Sequence, residues 1–271
     1  MRGTKIILFL LFLFPDHDGI PHVVSQVSMA EEWDIEKGLL EGRYKVVNER
    51  FRDIDIYAYF FPEEATLAST YIEYTKKYLE LYEGLIGRYP YRRFLIVEGL
   101  LPEGYSMPTF TLLGQDVVRL PFIVETSLGY EILHQWFGNL VYIDYKKGNW
   151  AEGLTTYLSD HLYEEQKGKG WEYRKKILID YKSYVASEKE VPLKDFLRRT
   201  DFASRAIGYG KRAMLFHMLK NLIADKKFQE ASWDDIQQRF EKTSVQELNW
   251  FFRQWVDEKG VPLLEIKKTR R

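Results

Sequence analysis

The hydrophobic pattern of this 271-residue chain changes character near residue 126. Before that point, β-branched and aromatic runs such as "RYKVV", "IDIYAYFF" and "RRFLIVEGL" predict strands, and residues 63–85 carry one long helical repeat. The runs "MPTFTLLG" and "DVVRLPFIV" predict two more strands, with a Gly-Gln turn between them. We therefore expect residues 41–125 to form a small β-rich subdomain that contains one long helix.

Downstream of residue 126 every periodic segment is helical. Apolar residues recur at helical spacing in six stretches, which are residues 126–137, 150–166, 171–186, 204–223, 233–242 and 245–259. A group of strands followed by a group of helices is typical of an α+β arrangement. The predicted fold is a small mixed sheet followed by a helical lobe, and the helical subdomain is expected to span residues 126–265.

The first 40 residues show no steady period and are interpreted as a leader and linker. Two early positive charges precede nine apolar residues and Pro15. Nine apolar residues are far fewer than the ~20 that span a bilayer, so no membrane span is expected. The pattern favours a signal peptide, which would make the protein periplasmic or extracellular. The alternative is a start codon inside a longer gene, in which case the protein would be cytoplasmic.

Charge and composition exclude several function classes. The net charge of −1 provides no bulk field that would attract nucleic acid. The chain has no cysteine, which excludes thiol catalysis, disulfides and cysteine zinc sites. Neither property indicates an oligomeric state.

The stretch "GYEILHQWFGN", Gly129–Asn139, is the first candidate for chemistry. It contains Glu131 and His134, and Tyr130 lies one helical turn before His134 on the same face. A Glu-x-x-His pair alone is weak evidence. However, Glu152 follows 18 residues after His134, at the start of a second predicted helix. Two histidines one turn apart and a carboxylate from another helix can hold zinc, while a neighbouring glutamate polarises the metal-bound water. Here the first of those two positions is a tyrosine.

Four segments then carry a specific resemblance. The segments are "EILHQWFGNLV", "NWAEGLTTYL", "IGYGKRAMLFHML" and "ELNWFFRQWVDEKGVPLLEI", and they occur in this order. Together they resemble the catalytic domain of the M1 family of zinc aminopeptidases, over roughly residues 55–265. This resemblance implies a thermolysin-like gluzincin fold, a Zn²⁺ cofactor, and hydrolysis of peptide substrates by a metal-activated water.

The resemblance also implies a role for individual residues. Glu131 would be the general base, and Tyr209 would donate a hydrogen bond to the oxyanion of the tetrahedral intermediate. His134 and Glu152 would be zinc ligands, with Tyr130 at the remaining ligand position. The strand that would bind the substrate is formed by Gly104, Tyr105, Ser106 and Met107.

Several positions depart from the family pattern. Tyr130 replaces the first zinc-binding histidine, and neither His161 nor His217 is placed to substitute for it. The glutamate that would bind a free amino terminus is absent, because Pro108 follows Met107. Arg212 stands where the family has glycine, and we expect its side chain to point to solvent. Three hypotheses follow: a zinc peptidase impaired by Tyr130, an inactive pseudopeptidase that binds peptides or proteins, or a truncated gene product with little function of its own.

Overall fold

The computed structural model describes residues 44–100, 104–222, 233–244 and 247–260. The predicted leader lies outside these ranges, so the signal peptide stays a prediction. Among the helices in these ranges, none combines the length and the apolar character needed to cross a bilayer.

The first half forms a five-stranded mixed sheet. Its strands are β1 (Lys45–Phe51), β2 (Ile54–Phe60), β3 (Arg93–Gly99), β4 (Tyr105–Met107) and β5 (Phe110–Gly114). The spatial order is β1-β2-β3-β5-β4, with parallel pairing of β2 with β3 and of β3 with β5, and antiparallel pairing at both ends. This confirms the predicted small mixed sheet, and it places β4 at one edge.

One long helix covers the sheet. Helix α1 (Ala68–Leu85) follows a short 3-10 turn and buries Tyr71, Ile72, Leu79 and Tyr82. These residues recur at the helical period, which explains why one face packs against β2 and the opposite face stays polar. The predicted helix over residues 63–85 is confirmed from Ala68 onward.

The predicted strand "DVVRLPFIV" is wrong. The chain instead forms helix α2 (Gln115–Val118) and then a series of turns up to residue 126. Pro121 cannot donate to a strand ladder, and a short apolar run does not by itself distinguish a strand from a buried helical turn. Val118 is buried, and its carbonyl oxygen accepts a hydrogen bond from Tyr71 Oη at 3.1 Å.

The second half is helical, as the sequence predicts. Its helices are α3 (Ser127–Leu133), α4 (Ala151–Thr156), α5 (Leu162–Gln166), α6 (Gly170–Tyr184), α7 (Phe202–Arg205), α8 (Arg212–Leu222), α9 (Trp233–Ser244) and α10 (Asn249–Phe252). Three π-helical segments occur in the described residues: Tyr157–His161 joins α4 to α5, Ala206–Lys211 joins α7 to α8, and Arg253–Asp257 follows α10. Such segments are rare and occur often at functional sites.

A continuous core joins the sheet to the helical lobe. Helix α3 packs against α1, and Trp136 contacts Tyr82 and Tyr89 edge-to-face. Helix α3 can come this close to the side chains of Tyr78 and Tyr163 because residue 129 is a glycine. A Cβ at Gly129 would lie 2.1 Å from Tyr163 Oη. Helix α3 is therefore held rigidly between the sheet and the lobe, which fixes the side chains on its remaining face.

Candidate active site

Helix α3 presents the first candidate residues. Tyr130 is the middle residue of α3, Glu131 follows it, and His134 comes directly after the last residue of the helix, Leu133. The rings of Tyr130 and His134 are edge-to-face, with centroids 5.0 Å apart. The two side chains therefore share one face, as their spacing of four residues predicts.

Helix α4 brings the carboxylate of Glu152 to the same place. Glu152 lies in the first turn of α4, and its Oε2 accepts a short hydrogen bond from Tyr130 Oη. The same oxygen is 3.8 Å from His134 Nε2. Asn149 Nδ2 contacts Glu152 Oε1 at 3.4 Å. Sequence reasoning missed Asn149, although its place one turn before Glu152 is a signal that could have found it.

Tyr209 completes this group from the helical lobe. It lies on the π-helical segment Ala206–Lys211, and its ring is nearly parallel to that of Tyr130, with centroids 6.4 Å apart. Burial and the charge of Glu152 raise the pKa of both phenols. Both tyrosines are therefore neutral near pH 7 and act as hydrogen-bond donors beside one carboxylate.

Glu131 occupies a different position on α3. Burial, with a contribution from the charge of Glu152, raises the pKa of Glu131 to about 7, while His134 opposes the shift. Its Oε1 lies against the backbone of Gly104, where a Cβ would come within 2.8 Å. The carboxyl group therefore sits under the beginning of edge strand β4, and the lack of a side chain at Gly104 makes this possible.

The raised pKa predicts a specific pH dependence of stability. The folded-state pKa of about 7 lies above the ordinary value of 4.5 for a glutamate, so folded Glu131 retains a proton that the unfolded chain loses between these values. Stability therefore falls as the pH rises through that window. Because glutamine cannot ionise, Glu131→Gln is expected to increase the free energy of unfolding by about 1–3 kcal/mol at pH 8 and to change it little at pH 4.5. Urea unfolding at both pH values measures this.

The matched control is Glu172→Gln, which changes an exposed carboxylate on α6. A gain at pH 8 that is equal for Glu172→Gln, or a gain at Glu131 that does not depend on pH, would contradict the assignment.

A glutamine fastens the predicted substrate strand to α3. Gln135 Nε2 donates to Ser106 Oγ and to the carbonyl oxygen of Met107, both at 2.9 Å, and Gln135 Oε1 accepts from the amide of Thr109 at 2.8 Å. Ser106 Oγ donates to the carbonyl oxygen of Glu131 at 3.0 Å. The Ser106 hydroxyl is thus engaged in hydrogen bonds to α3, whereas the side chains of Tyr105 and Met107 are 42% and 46% exposed. Sequence reasoning missed Gln135.

The three hydrogen bonds of the Gln135 side chain, to Ser106, Met107 and Thr109, form a clamp that should contribute strongly to stability. Thr109 has a φ of 73°, which is unfavourable for a β-branched residue, and Gln135 satisfies its buried amide. Gln135→Leu would leave that amide and the Met107 carbonyl without their partner. We expect it to lower the free energy of unfolding by about 2–4 kcal/mol, measured by urea denaturation. Gln166→Leu, at an exposed position, should change it by less than about 0.5 kcal/mol, and equal effects of the two variants would refute the clamp.

Arg212 does not point to solvent, and that expectation is wrong. The side chain is fully buried and donates hydrogen bonds to the main-chain carbonyls of Asn149 and Leu193. Its guanidinium lies over the ring of Phe196, 4.6 Å from the centroid. The physical reason lies across the helix interface: a Cβ at Gly153 would be 2.1 Å from Arg212 Cβ, so the missing side chain of Gly153 gives Arg212 its space.

The two histidines considered as replacement ligands pack against each other. The rings of His161 and His217 are 5.4 Å apart, and His161 Nε2 accepts a hydrogen bond from Arg174 at 2.7 Å. Burial and the charge of Arg174 lower the pKa of both to about 4. His161 therefore uses the nitrogen that would bind a metal in a contact outside the Tyr130–Glu152 group.

Comparison with known proteins gives the family. The profile of the "Peptidase family M1 domain" matches residues 123–261, which is just over half of the chain. The chain belongs to peptidase family M1. This M1 chain is 23% identical to the tricorn protease-interacting factor F2 of Thermoplasma volcanium, over 84% of its own length and 33% of that protein. It is 24% identical to the glutamyl aminopeptidase of Sus scrofa, over 54% of its length and 18% of that protein.

Solved structures show the fold of this M1 chain. The M1 zinc metallopeptidase of Deinococcus radiodurans superimposes with a TM-score of 0.63 at 18% identity, covering 82% of this chain and 54% of the other. Yeast LTA4 hydrolase superimposes with a TM-score of 0.54 at 17% identity, covering 81% of this chain and 40% of the hydrolase chain. The α+β expectation is thus confirmed. The chain spans about a third or less of the length of the curated relatives described above.

The family implies zinc, and the side chains of this M1 chain do not fit a three-ligand zinc site. His134 and Glu152 converge, but the third position holds the neutral phenol of Tyr130, whose hydroxyl donates to the oxygen that a metal would use. Within the described part of the chain, no three histidine, cysteine, aspartate or glutamate side chains are grouped so that they could hold a metal ion. Catalytic zinc sites use three protein ligands, and among the described residues only His134 and Glu152 converge here as ordinary ligands.

Proposed function

We propose that this M1 domain binds extended peptides along edge strand β4 and hydrolyses them slowly or not at all, because Tyr130 prevents tight zinc binding. The observation that carries this proposal is the hydrogen bond from Tyr130 Oη to Glu152 Oε2. This bond pairs Tyr130, which replaces the family's first zinc-binding histidine, with Glu152, one of the two ligands that the family pattern still leaves in place.

The chemistry of Tyr130 supports the loss of zinc. A phenol binds a metal as phenolate, and burial together with the charge of Glu152 raises its pKa well above the ordinary value. Zinc would have to remove this proton and break the bond to Glu152 before it could bind. His134 and Glu152 would then be the two protein ligands of the zinc ion. Because catalytic zinc sites rely on three, we expect weak binding.

The sheet supports the binding of peptides. β4 is an edge strand, paired with β5 on one side in the described sheet. An extended peptide can add to such an edge through main-chain hydrogen bonds. Tyr105 and Met107 are exposed beside it and offer apolar contacts. Since Pro108 occupies the place of the family's amine-binding glutamate, we do not expect a preference for free amino termini.

A binding experiment tests the proposal. The probe is the hexapeptide Ala-Ala-Phe-Ala-Ala-Ala, used with a free amino terminus, with an acetylated one, and with N-methyl groups on alternate residues. We expect the first two to bind equally, and N-methylation to weaken binding by about tenfold or more because it removes main-chain donors. Tight binding of stoichiometric zinc by the unmodified chain, or binding that is insensitive to N-methylation, would overturn the proposal.

One observation favours a second candidate function, a weakly active zinc peptidase. His134 Nδ1 donates to the carbonyl oxygen of Phe137 at 2.9 Å, and His134 Nε2 faces Glu152 at 3.8 Å from its Oε2. Metal-binding histidines are commonly held by such a bond. This candidate predicts that hydrolysis of the same hexapeptide rises with added zinc and is abolished by a chelator, in parallel with metal content.

A further inference from the structure

Two histidines meet between the helices that carry the candidate active site. His161 ends the π-helical segment Tyr157–His161, which continues from α4, and His217 lies in α8, which continues from the segment that carries Tyr209. Their rings are 5.4 Å apart, and α8 packs against both α4 and the segment that ends at His161. The pair therefore joins the same two helices as the active site, about 12 Å further along them.

A contact with Arg174 fixes the protonation state of His161. Arg174 Nη1 lies 2.7 Å from His161 Nε2. A guanidinium has donors and no acceptor, so Nε2 must be the unprotonated nitrogen that accepts this hydrogen bond. His161 is therefore neutral in this arrangement. A proton on Nε2 would remove the bond and leave two cations with their N–H groups facing each other.

The charged groups around the two rings are mainly basic. Arg174 comes from α6, and Lys220 lies three residues after His217 on α8. The acid that acts on both histidines is Glu165 of α5. Its Oε2 is 3.0 Å from Arg174 Nη1 and 3.7 Å from His161 Nε2, so Arg174 already uses this carboxylate. A protonated His161 would have to share it.

The other neighbours offer little compensation for a new positive charge. Asp160 accepts a hydrogen bond from Tyr173 Oη at 3.3 Å, and burial raises the pKa of Asp160, which limits its charge in acid. Helices α3 and α4 also pack on the segment that ends at His161, but among the described residues no contact joins their acids to either ring. The remaining contacts are with neutral groups, namely Tyr157, Tyr173 and Asn221.

The cluster predicts a direction for the effect of acid on stability. Burial, with a contribution from Arg174, lowers the pKa of each histidine to about 4, below the ordinary value of 6.5. Between these values the unfolded chain binds protons that the folded chain does not, so stability is lost as the pH falls through that window. Glu131 acts in the opposite direction over an overlapping range, and only a comparison of variants isolates the histidines.

We infer that His161 and His217 form an acid-sensitive latch between α4 and α8. The latch is closed when both rings are neutral and Arg174 is bonded to His161. Acid places up to four cations beside Glu165, and the contact between the two helices then loosens. Because these helices lead from Glu152 and Tyr209, opening the latch separates the two halves of the candidate active site. The inference goes beyond the proposed function and depends on neither peptide nor zinc.

His161→Gln removes the titration and keeps an acceptor for Arg174. Urea unfolding of the chelator-treated full-length chain is measured at pH 7.5 and at pH 5.0. We expect acidification to raise the unfolding constant of the unmodified chain by about tenfold more than that of His161→Gln, because glutamine gains no proton. Glu131 contributes equally to both chains. An equal effect of acid on the two would overturn the inference.

Arg174→Gln separates the effect of charge from that of burial. Glutamine can still donate to His161 Nε2 but carries no charge, so we expect the acid effect to shrink by about threefold or more. Tyr157→Phe is the matched control, since it keeps the ring beside His161 and should leave the acid effect within about twofold of the unmodified chain. A full acid effect in Arg174→Gln, or one that is reduced equally in both variants, would contradict the latch.

Proton NMR of the imidazole rings tests the unmodified chain, so it remains decisive if a variant fails to fold. The chain has five histidines, and we expect at least two to stay neutral at pH 5. One of these signals should be absent from His161→Gln, and Arg174→Gln should raise its proton affinity. Fewer than two neutral histidines at pH 5 would overturn the inference.

Hydrogen exchange shows whether acid opens the latch locally. Between pH 7.5 and pH 5.0, after correction for intrinsic rates, amides of α8 and of the segment Tyr157–His161 should lose about tenfold in protection. Amides of α1, which packs on the sheet, should change by less than about twofold. His161→Gln should abolish the difference. An equal loss of protection in α1, or a local loss that persists in His161→Gln, would refute a latch at this position.

Discussion

Tyr130→His is expected to tighten zinc binding by about a hundredfold or more. The imidazole would stand one helical turn before His134, on the same face of α3, and would supply the third ligand that such sites require. The change also removes the hydroxyl that occupies Glu152 Oε2. Zinc affinity is measured by competition with a chelator of known affinity, and metal content by elemental analysis. Peptide hydrolysis should rise in parallel, because Glu131 and Tyr209 are present beside the restored site.

Tyr130→Phe is the matched control for this prediction. It removes the hydroxyl and keeps the ring, so it frees Glu152 without adding a ligand. We expect its zinc affinity to rise by much less than that of Tyr130→His. If both variants bind zinc equally, the phenol hydroxyl alone blocks the site. If neither gains affinity, the geometry of His134 and Glu152 is unsuited to zinc, and the explanation based on Tyr130 fails.

Gly153→Ala is expected to lower the free energy of unfolding by about 3 kcal/mol or more. The new Cβ would come within 2.1 Å of Arg212 Cβ and 3.1 Å of its Cγ and Cδ. Arg212 cannot move aside easily, because its guanidinium is fixed by Asn149, Leu193 and the ring of Phe196. Overpacking of this kind forces backbone shifts and is strongly destabilising. Urea or thermal unfolding measures the loss.

Gly84→Ala provides the control at a glycine without this constraint. Gly84 is exposed near the end of α1, and a Cβ there meets nothing within 4 Å. Alanine favours the helix over glycine, so we expect a gain of about 0.5–1 kcal/mol. Equal and small effects at Gly84 and Gly153 would show that the α4–α8 contact tolerates more volume than the structure indicates.

Local patterns account for the parts of the fold that sequence predicted. The alternation in β2 and the 3.6-residue period in α1 are properties of contiguous residues, so hydrophobic spacing is enough to recognise them. The same holds for Tyr130 and His134, whose spacing on one helix fixes that they share a face. The strand predicted over "DVVRLPFIV" was wrong because Val118 and Val124 are buried in a short helix and turns whose carbonyl oxygens accept hydrogen bonds from α1. The local pattern does not contain this contact.

Contacts between distant segments account for what sequence reasoning missed. Gln135 looks like an ordinary polar residue on α3 until β4 is placed beside it. Arg212 looks like a surface cation until α4 presents Gly153 opposite its Cβ. In both cases the partner lies more than 25 residues away in the chain, so neither periodicity nor spacing indicates it.

The sequence by itself determined the family, the α+β arrangement and the set of residues that could meet near Tyr130. It did so because motif order and helical spacing depend on local geometry, which is nearly the same in every context. Only the tertiary structure decided what those residues do to one another: Tyr130 donates to Glu152, Gln135 fastens β4, and Arg212 is buried beneath α4. The physical reason is that hydrogen bonds and charge compensation across elements depend on packing to within an ångström, and packing is set by the whole core.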